Sequence, residues 1–269
     1  MAHLEVEAGK RVHYEHYAGS RRPVVLVHGW AATGHCWDST VAELLAAGHE
    51  VVVLDHRACG RSDKDFADVS IEAIAGDVVA LVRELGLRAP VLSGWSLGGA
   101  VVVAAAAELG ADLTGLVLTG GATPRYTATD DWPYGSTVDD VEGVLGGLLT
   151  DRATTFRAIA EAVCATPQSE PTLAGMWGQF MESGPRVSDT LRALAHIDQR
   201  GLLPGITCPV LLLAGTDDGF VSFDGVAASA DVFPDARLVR FDGVGHAPFL
   251  EDRDGYHTSL LSFLAELDG

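Results

Sequence analysis

Lysine is almost missing from this chain. Lys10 and Lys64 are the only two among 269 residues, and all Lys and Arg together number 18 against 37 Asp and Glu. The net charge of −19 excludes the usual electrostatic basis for binding nucleic acid or an anionic membrane surface. It leaves a protein suited to neutral or weakly polar small molecules. Long apolar runs are missing too. The longest such segment, Gly98 to Leu109, falls short of the ~18 residues that mark a membrane span and sits inside a globular pattern. The first residues, Met1 to Glu7, lack the basic and apolar regions of a signal peptide. The four cysteines, Cys36, Cys59, Cys164 and Cys208, form no C-x-x-C pair. Together these absences predict free thiols in a cytoplasmic protein. No H-x-x-x-H pair or Cys/His cluster is present, so no metal is expected. The Gly-rich loops lack Walker or dinucleotide spacing, so no cofactor is expected.

What is present is ample core material, 48% hydrophobic residues with mean hydropathy +0.20. Leu4–Glu7 and Arg11–Tyr17 read as a hairpin at a sheet edge. Val24–His28, Val51–Leu54, Pro90–Ser93, Leu113–Leu118, Pro209–Ala214 and Arg237–Phe241 read as strands, the continuous apolar ones buried on both faces. Helices are predicted between them, over residues 37–47, 71–85, 97–109, 223–232 and 255–267. From Ala122 to Gln199 the alternation lapses into helical pieces with Pro and Gly breaks, and then it resumes. The predicted fold class is α/β: one domain over residues 1–269, with a mainly parallel sheet flanked by helices (core 1–121 and 200–269) and a helical cap insertion over 122–199. Ligands of such sheets bind at the carboxyl ends of the strands.

Those strand ends carry the chemistry. Gly94-Trp95-Ser96-Leu97-Gly98 lies between a strand and a helix. A nucleophilic Ser needs this strained turn to project its hydroxyl out of the sheet. After the 209–214 strand comes Gly215-Thr216-Asp217-Asp218, and after the 237–241 strand comes Gly243-Val244-Gly245-His246. Ser96, Asp218 and His246 are therefore the candidate nucleophile, orienting acid and general base. Asp218 is preferred over Asp217 from the spacing Gly215-x-x-Asp218-x-x-Val221. Asp217 is expected to cap or brace the loop, and a shared acid role stays open. The backbone N–H groups of Trp30 and Leu97 are the candidate oxyanion donors. Each residue has a plainer reading as well. A lone loop histidine is more often structural, and His3, His13, His16, His35, His49 and His257 are read that way. His28 is expected to pack beneath the Trp30 loop, and Asp55, Arg57, Arg61 and Ser62 to brace a turn. What lifts Ser96, Asp218 and His246 above those readings is their order and their common position at strand ends.

Over essentially its whole length the chain resembles the α/β-hydrolase superfamily. The resemblance is carried by Val27-His28-Gly29-Trp30, by Asp55-x-Arg57-x-x-Gly60-Arg61-Ser62, by the Ser96 turn, and by Gly245-His246-Ala247-Pro248-Phe249. Two subgroups are most similar: the pimeloyl-ACP methyl ester esterases, and the cofactor-free haloperoxidase or perhydrolase esterases. The resemblance implies a serine hydrolase that cleaves a carboxylic ester or lactone through an acyl-enzyme. Perhydrolysis, C–C bond hydrolysis and a slowly turning-over ligand receptor on the same fold are the alternatives. The perhydrolase group usually has Pro where Ala31 stands. The segment 122–199 holds Arg125, Arg152, Arg157, Arg186 and Arg192 against eleven Asp and Glu, which argues against an acyl carrier protein as partner. The expected substrate is a small hydrophobic ester, in a pocket walled by Trp30, Trp95, Phe220, Val221 and Phe249 and closed by Trp132, Trp177 and Phe180. A homo-oligomer is left open.

Overall fold

The computed structural model describes residues 2–268. Its strands are β1 (Ala2–Glu7), β2 (Lys10–Tyr17), β3 (Arg21–Val27), β4 (His49–Asp55), β5 (Val91–Trp95), β6 (Gly115–Thr119), β7 (Val210–Gly215) and β8 (Ala236–Phe241). They form one sheet in the order β1-β2-β4-β3-β5-β6-β7-β8. β1 and β2, and β2 and β4, pair antiparallel; every later pairing is parallel. The hairpin therefore sits at one edge, and β5 lies near the middle. All residues of β5, β6 and β7 are buried, as strands covered on both faces must be.

The helices are α1 (Asp38–Ala46), α2 (Ile71–Glu84), α3 (Leu97–Leu109), α4 (Val138–Thr150), α5 (Arg152–Ala162), α6 (Glu170–Met181), α7 (Val187–His196), α8 (Phe223–Ala230), α9 (Pro248–Glu251) and α10 (Arg253–Asp268). Local chemistry sets many of their ends. Ser70 accepts from the Ala73 N–H at the start of α2. Thr137 and Asp140 form a reciprocal capping box on α4. Asp151 and Ser169 cap α5 and α6 by accepting the N–H groups of Thr154 and Thr172. α2 packs on α3, and α1 on α10; the Thr40 hydroxyl meets His257 Nε2 at 3.2 Å across the second pair. α4 to α7 fill the connection between β6 and β7, the segment where strand patterning lapses.

Two elements depart from the sequence expectation. β3 starts at Arg21 rather than Val24, because Arg21 joins the ladder opposite His49 despite its polar side chain. The one-turn helix α9 was not anticipated. Pro248 at its start fixes a helical φ just after His246, which turns the chain away from the strand ends.

Candidate active site

The core of the site is the β5–α3 junction. Ser96 has φ 55° and ψ −121°, a strained conformation for any residue with a Cβ. Three backbone bonds hold it there. Its N–H donates to the Thr119 carbonyl at 3.0 Å, and its own carbonyl accepts from Gly99 N–H at 2.8 Å and Ala122 N–H at 2.9 Å. The turn closes only because Gly94 and Gly98 lack side chains. A Cβ on Gly94 would lie 2.2 Å from the Gly98 carbonyl oxygen, and one on Gly98 would lie 2.3 Å from that of Val27. Leu97 is the first residue of α3, so its N–H has no partner within the helix.

The second element is the turn after β3. The Gly29 carbonyl is held by His28 Nδ1 at 2.8 Å, by His56 Nε2 at 3.4 Å and by the Ala32 N–H at 3.3 Å. That carbonyl shares a planar trans peptide with the Trp30 N–H, which points the opposite way. Gripping the oxygen therefore aims the N–H. His28 and His56 are fully buried and stacked, with ring centroids 4.0 Å apart. Burial pushes the pKa of both below the ordinary histidine value, so both are neutral here.

The third element comes from the loops after β7 and β8. Asp218 Oδ2 lies 2.7 Å from His246 Nδ1, with the two side chains only 2% and 4% exposed. The other oxygen, Oδ1, accepts the N–H groups of Phe220 at 2.8 Å and Val221 at 2.9 Å. Each carboxylate oxygen thus has its own partner, and the side chain cannot rotate without losing charge-assisted bonds. Asp217 is exposed and accepts only from Thr216. The imidazole of His246 sits between Trp95 and Phe220, with centroids 5.5 and 5.2 Å away. The His246 N–H donates to the Val163 carbonyl, and its carbonyl accepts from Trp95 Nε1, both at 2.8 Å. Gly120, with φ 47°, packs against this pair; a Cβ there would lie 3.0 Å from His246 Nδ1 and 3.2 Å from Asp218 Oδ2.

Family comparison accords with this architecture. The α/β hydrolase fold model matches residues 22–253. The chain belongs to the α/β-hydrolase family. It is 30% identical to a pimeloyl-[acyl-carrier protein] methyl ester esterase of Stenotrophomonas maltophilia, over 91% of this chain and 93% of that one.

 A non-heme haloperoxidase of Rhodococcus erythropolis is 28% identical over 98% of this chain and 99% of its own. Among solved structures, an esterase from Exiguobacterium antarcticum superposes with a TM-score of 0.94 at 26% identity, covering 98% of both chains.

In this α/β-hydrolase, Ser96 and His246 share the wall of one cleft of about 560 Å³, open mouth included. Trp30, Trp95, Phe180 and Phe220 line it too, as expected from the sequence. Four other expected wall residues lie elsewhere. Trp132 and Val221 line a smaller cavity beside Tyr134. Trp177 turns its Nε1 to the Ala153 carbonyl at 2.9 Å and packs between α5 and α6. Phe249 is fully buried and borders a different cleft. The remaining wall comes from Tyr126, Val144, Ile159, Val163, Leu191 and Leu194. Sequence reasoning missed these because it favoured tryptophans, whereas the direction each helix face points is a matter of packing. His28, His56 and Cys59 also cluster, with candidate ligand atoms within 4.8 Å of one another. That set does not suit an ion: His28 Nε2 already accepts the His56 N–H at 3.2 Å, and burial drives the Cys59 thiol far above its ordinary pKa. Among the described residues no helix is long and apolar enough to cross a membrane.

Proposed function

We propose that this protein is a serine hydrolase that cleaves a carboxylic ester or lactone of a small hydrophobic substrate. The observation that carries the reading is the buried Asp218–His246 pair, 2.7 Å apart, in a cleft wall shared with Ser96. In this scheme Ser96 Oγ attacks the substrate carbonyl and its proton passes to His246 Nε2. Asp218 keeps the proton on Nδ1 and stabilises the imidazolium. The N–H groups of Trp30 and Leu97 receive the oxyanion, each such donor being worth about 3–4 kcal/mol in the transition state. Collapse expels the alcohol, protonated by His246, and leaves an acyl-Ser96 ester. A water molecule, deprotonated by His246, then releases the acid.

The apolar wall favours a hydrophobic substrate. Hydrolysis is favoured over perhydrolysis by Ala31, whose φ of 60° is beyond the reach of the proline usual in perhydrolase-type esterases. The test is turnover of p-nitrophenyl butyrate together with mass analysis after a fluorophosphonate. Wild type should turn over and carry one adduct, and Ser96→Ala should lose at least about 10³-fold in kcat with no adduct. Equal turnover in the two proteins would overturn the reading.

A further inference from the structure

We infer that a second cleft, of about 540 Å³, receives an unbranched aliphatic arm of the substrate, with Phe180 as the movable partition between it and the Ser96 cleft. This rests on the ester-hydrolase reading and adds a substrate class to it. The second cleft lies between the turn at residues 32–36 and helix α6. Trp95 and Phe180 stand in the walls of both clefts, so the two spaces are back to back across these rings.

The two rings are held differently. Trp95 is fixed by its Nε1 bond to the His246 carbonyl and by the edge of Phe249 at 5.2 Å. Phe180 has no polar atom to anchor, and its aromatic neighbour is Phe156 at 5.7 Å. The ring is buried but borders a cleft on either side, so a rotamer change has space to move into. Its helix is also soft. Gly175 and Gly178 lie inside α6, yet a Cβ at either would meet nothing within 4 Å. No close contact requires glycine there, and each weakens the helix relative to alanine. Met176, Phe249 and Leu250 line the second cleft together with the uncharged polar Thr172 and Gln179, with exposed His35 and Pro171 beside them. No carboxylate, lysine or arginine lines it, which suits a hydrocarbon chain rather than an ionic group.

The arm could belong to the acid or to the alcohol, and the assay separates them. The readouts are kcat/KM for p-nitrophenyl octanoate over p-nitrophenyl acetate, and for octyl acetate over ethyl acetate. Gly175 is exposed and lines the second cleft, so Gly175→Leu adds a branched side chain at its rim. It should lower one of these ratios at least about tenfold, since each methylene displaced from burial is worth about fourfold. Phe180→Ala should raise that same ratio. Urea midpoints establish that both variants are folded, and Gly175→Leu alone decides the matter if Phe180→Ala is not. Both ratios staying within twofold of wild type would overturn the inference while leaving ester hydrolysis intact. A wild type that hydrolyses none of the four esters would overturn the hydrolase reading itself.

Discussion

Gly120→Ala separates the contribution of the Asp218–His246 contact from that of backbone strain. Gly120 has φ 47°, and a Cβ there would stand 3.0 Å from His246 Nδ1 and 3.2 Å from Asp218 Oδ2. Ordinary contacts are about 3.5–4.0 Å, so the pair must retreat by roughly half an ångström. Gly86, at the end of α2, provides the control: its φ is 62° and a Cβ there meets nothing within 4 Å. Both substitutions should cost about 1 kcal/mol for the left-handed backbone, read as a shift in urea midpoint at constant slope. Only Gly120→Ala should also disturb the 2.7 Å bond between His246 and Asp218. A misplacement of about 1 Å in a catalytic constellation can cost about 10² in rate; half of that predicts a fall in kcat of about tenfold. The assay is p-nitrophenyl butyrate hydrolysis at saturating substrate. If Gly120→Ala keeps a kcat within twofold of Gly86→Ala, the packing of Gly120 against the pair has no catalytic consequence and the reasoning fails.

Three further outcomes follow from the geometry. Ser96→Gly should be about 1 kcal/mol more stable than Ser96→Ala, because glycine relieves the φ of 55° that alanine retains; equal urea midpoints would mean the turn is not strained. Asp218→Asn should lower kcat at least about 10²-fold, while Asp217→Asn should stay within about threefold, since only Asp218 faces His246; the reverse order would assign the acid to Asp217. Stability should also fall as pH drops below about 6.5. The buried imidazoles of His28 and His56 have depressed pKa values, so the unfolded chain binds protons that the folded chain refuses. Stability is therefore full above the unfolded value and declines below it, by up to about 1.4 kcal/mol per pH unit for each histidine. Urea titrations of wild type and His56→Gln between pH 7.5 and 5.5 should show the smaller decline in the variant.

Much of this architecture was legible in the residues. The apolar runs of β5, β6 and β7 announced strands buried on both faces, and α3 begins at Leu97 and ends at Leu109 as its pattern predicts. The one-turn α9 was not legible, because four residues carry no periodicity. Nor were the roles of Gly120 and His56. Gly120 follows β6 in the chain, but its importance lies in what β7 and β8 bring against it. His56 belongs to no recognisable motif, and its contact with the Gly29 carbonyl depends on β3 and β4 being neighbours in the sheet.

Local sequence alone determined the alternation of strand and helix, the strained Gly-Trp-Ser-Leu-Gly turn, and the succession of Ser96, Asp218 and His246. Those are properties of short stretches, governed by periodicity, glycine and chain order. Tertiary structure alone decided that Tyr126, Leu191 and Leu194 line the cleft while Trp132 and Trp177 do not, and that Phe180 borders two spaces. Each of these depends on how one helix or loop is turned against another. That orientation is set by the summed packing of many side chains, and no single stretch of sequence encodes it.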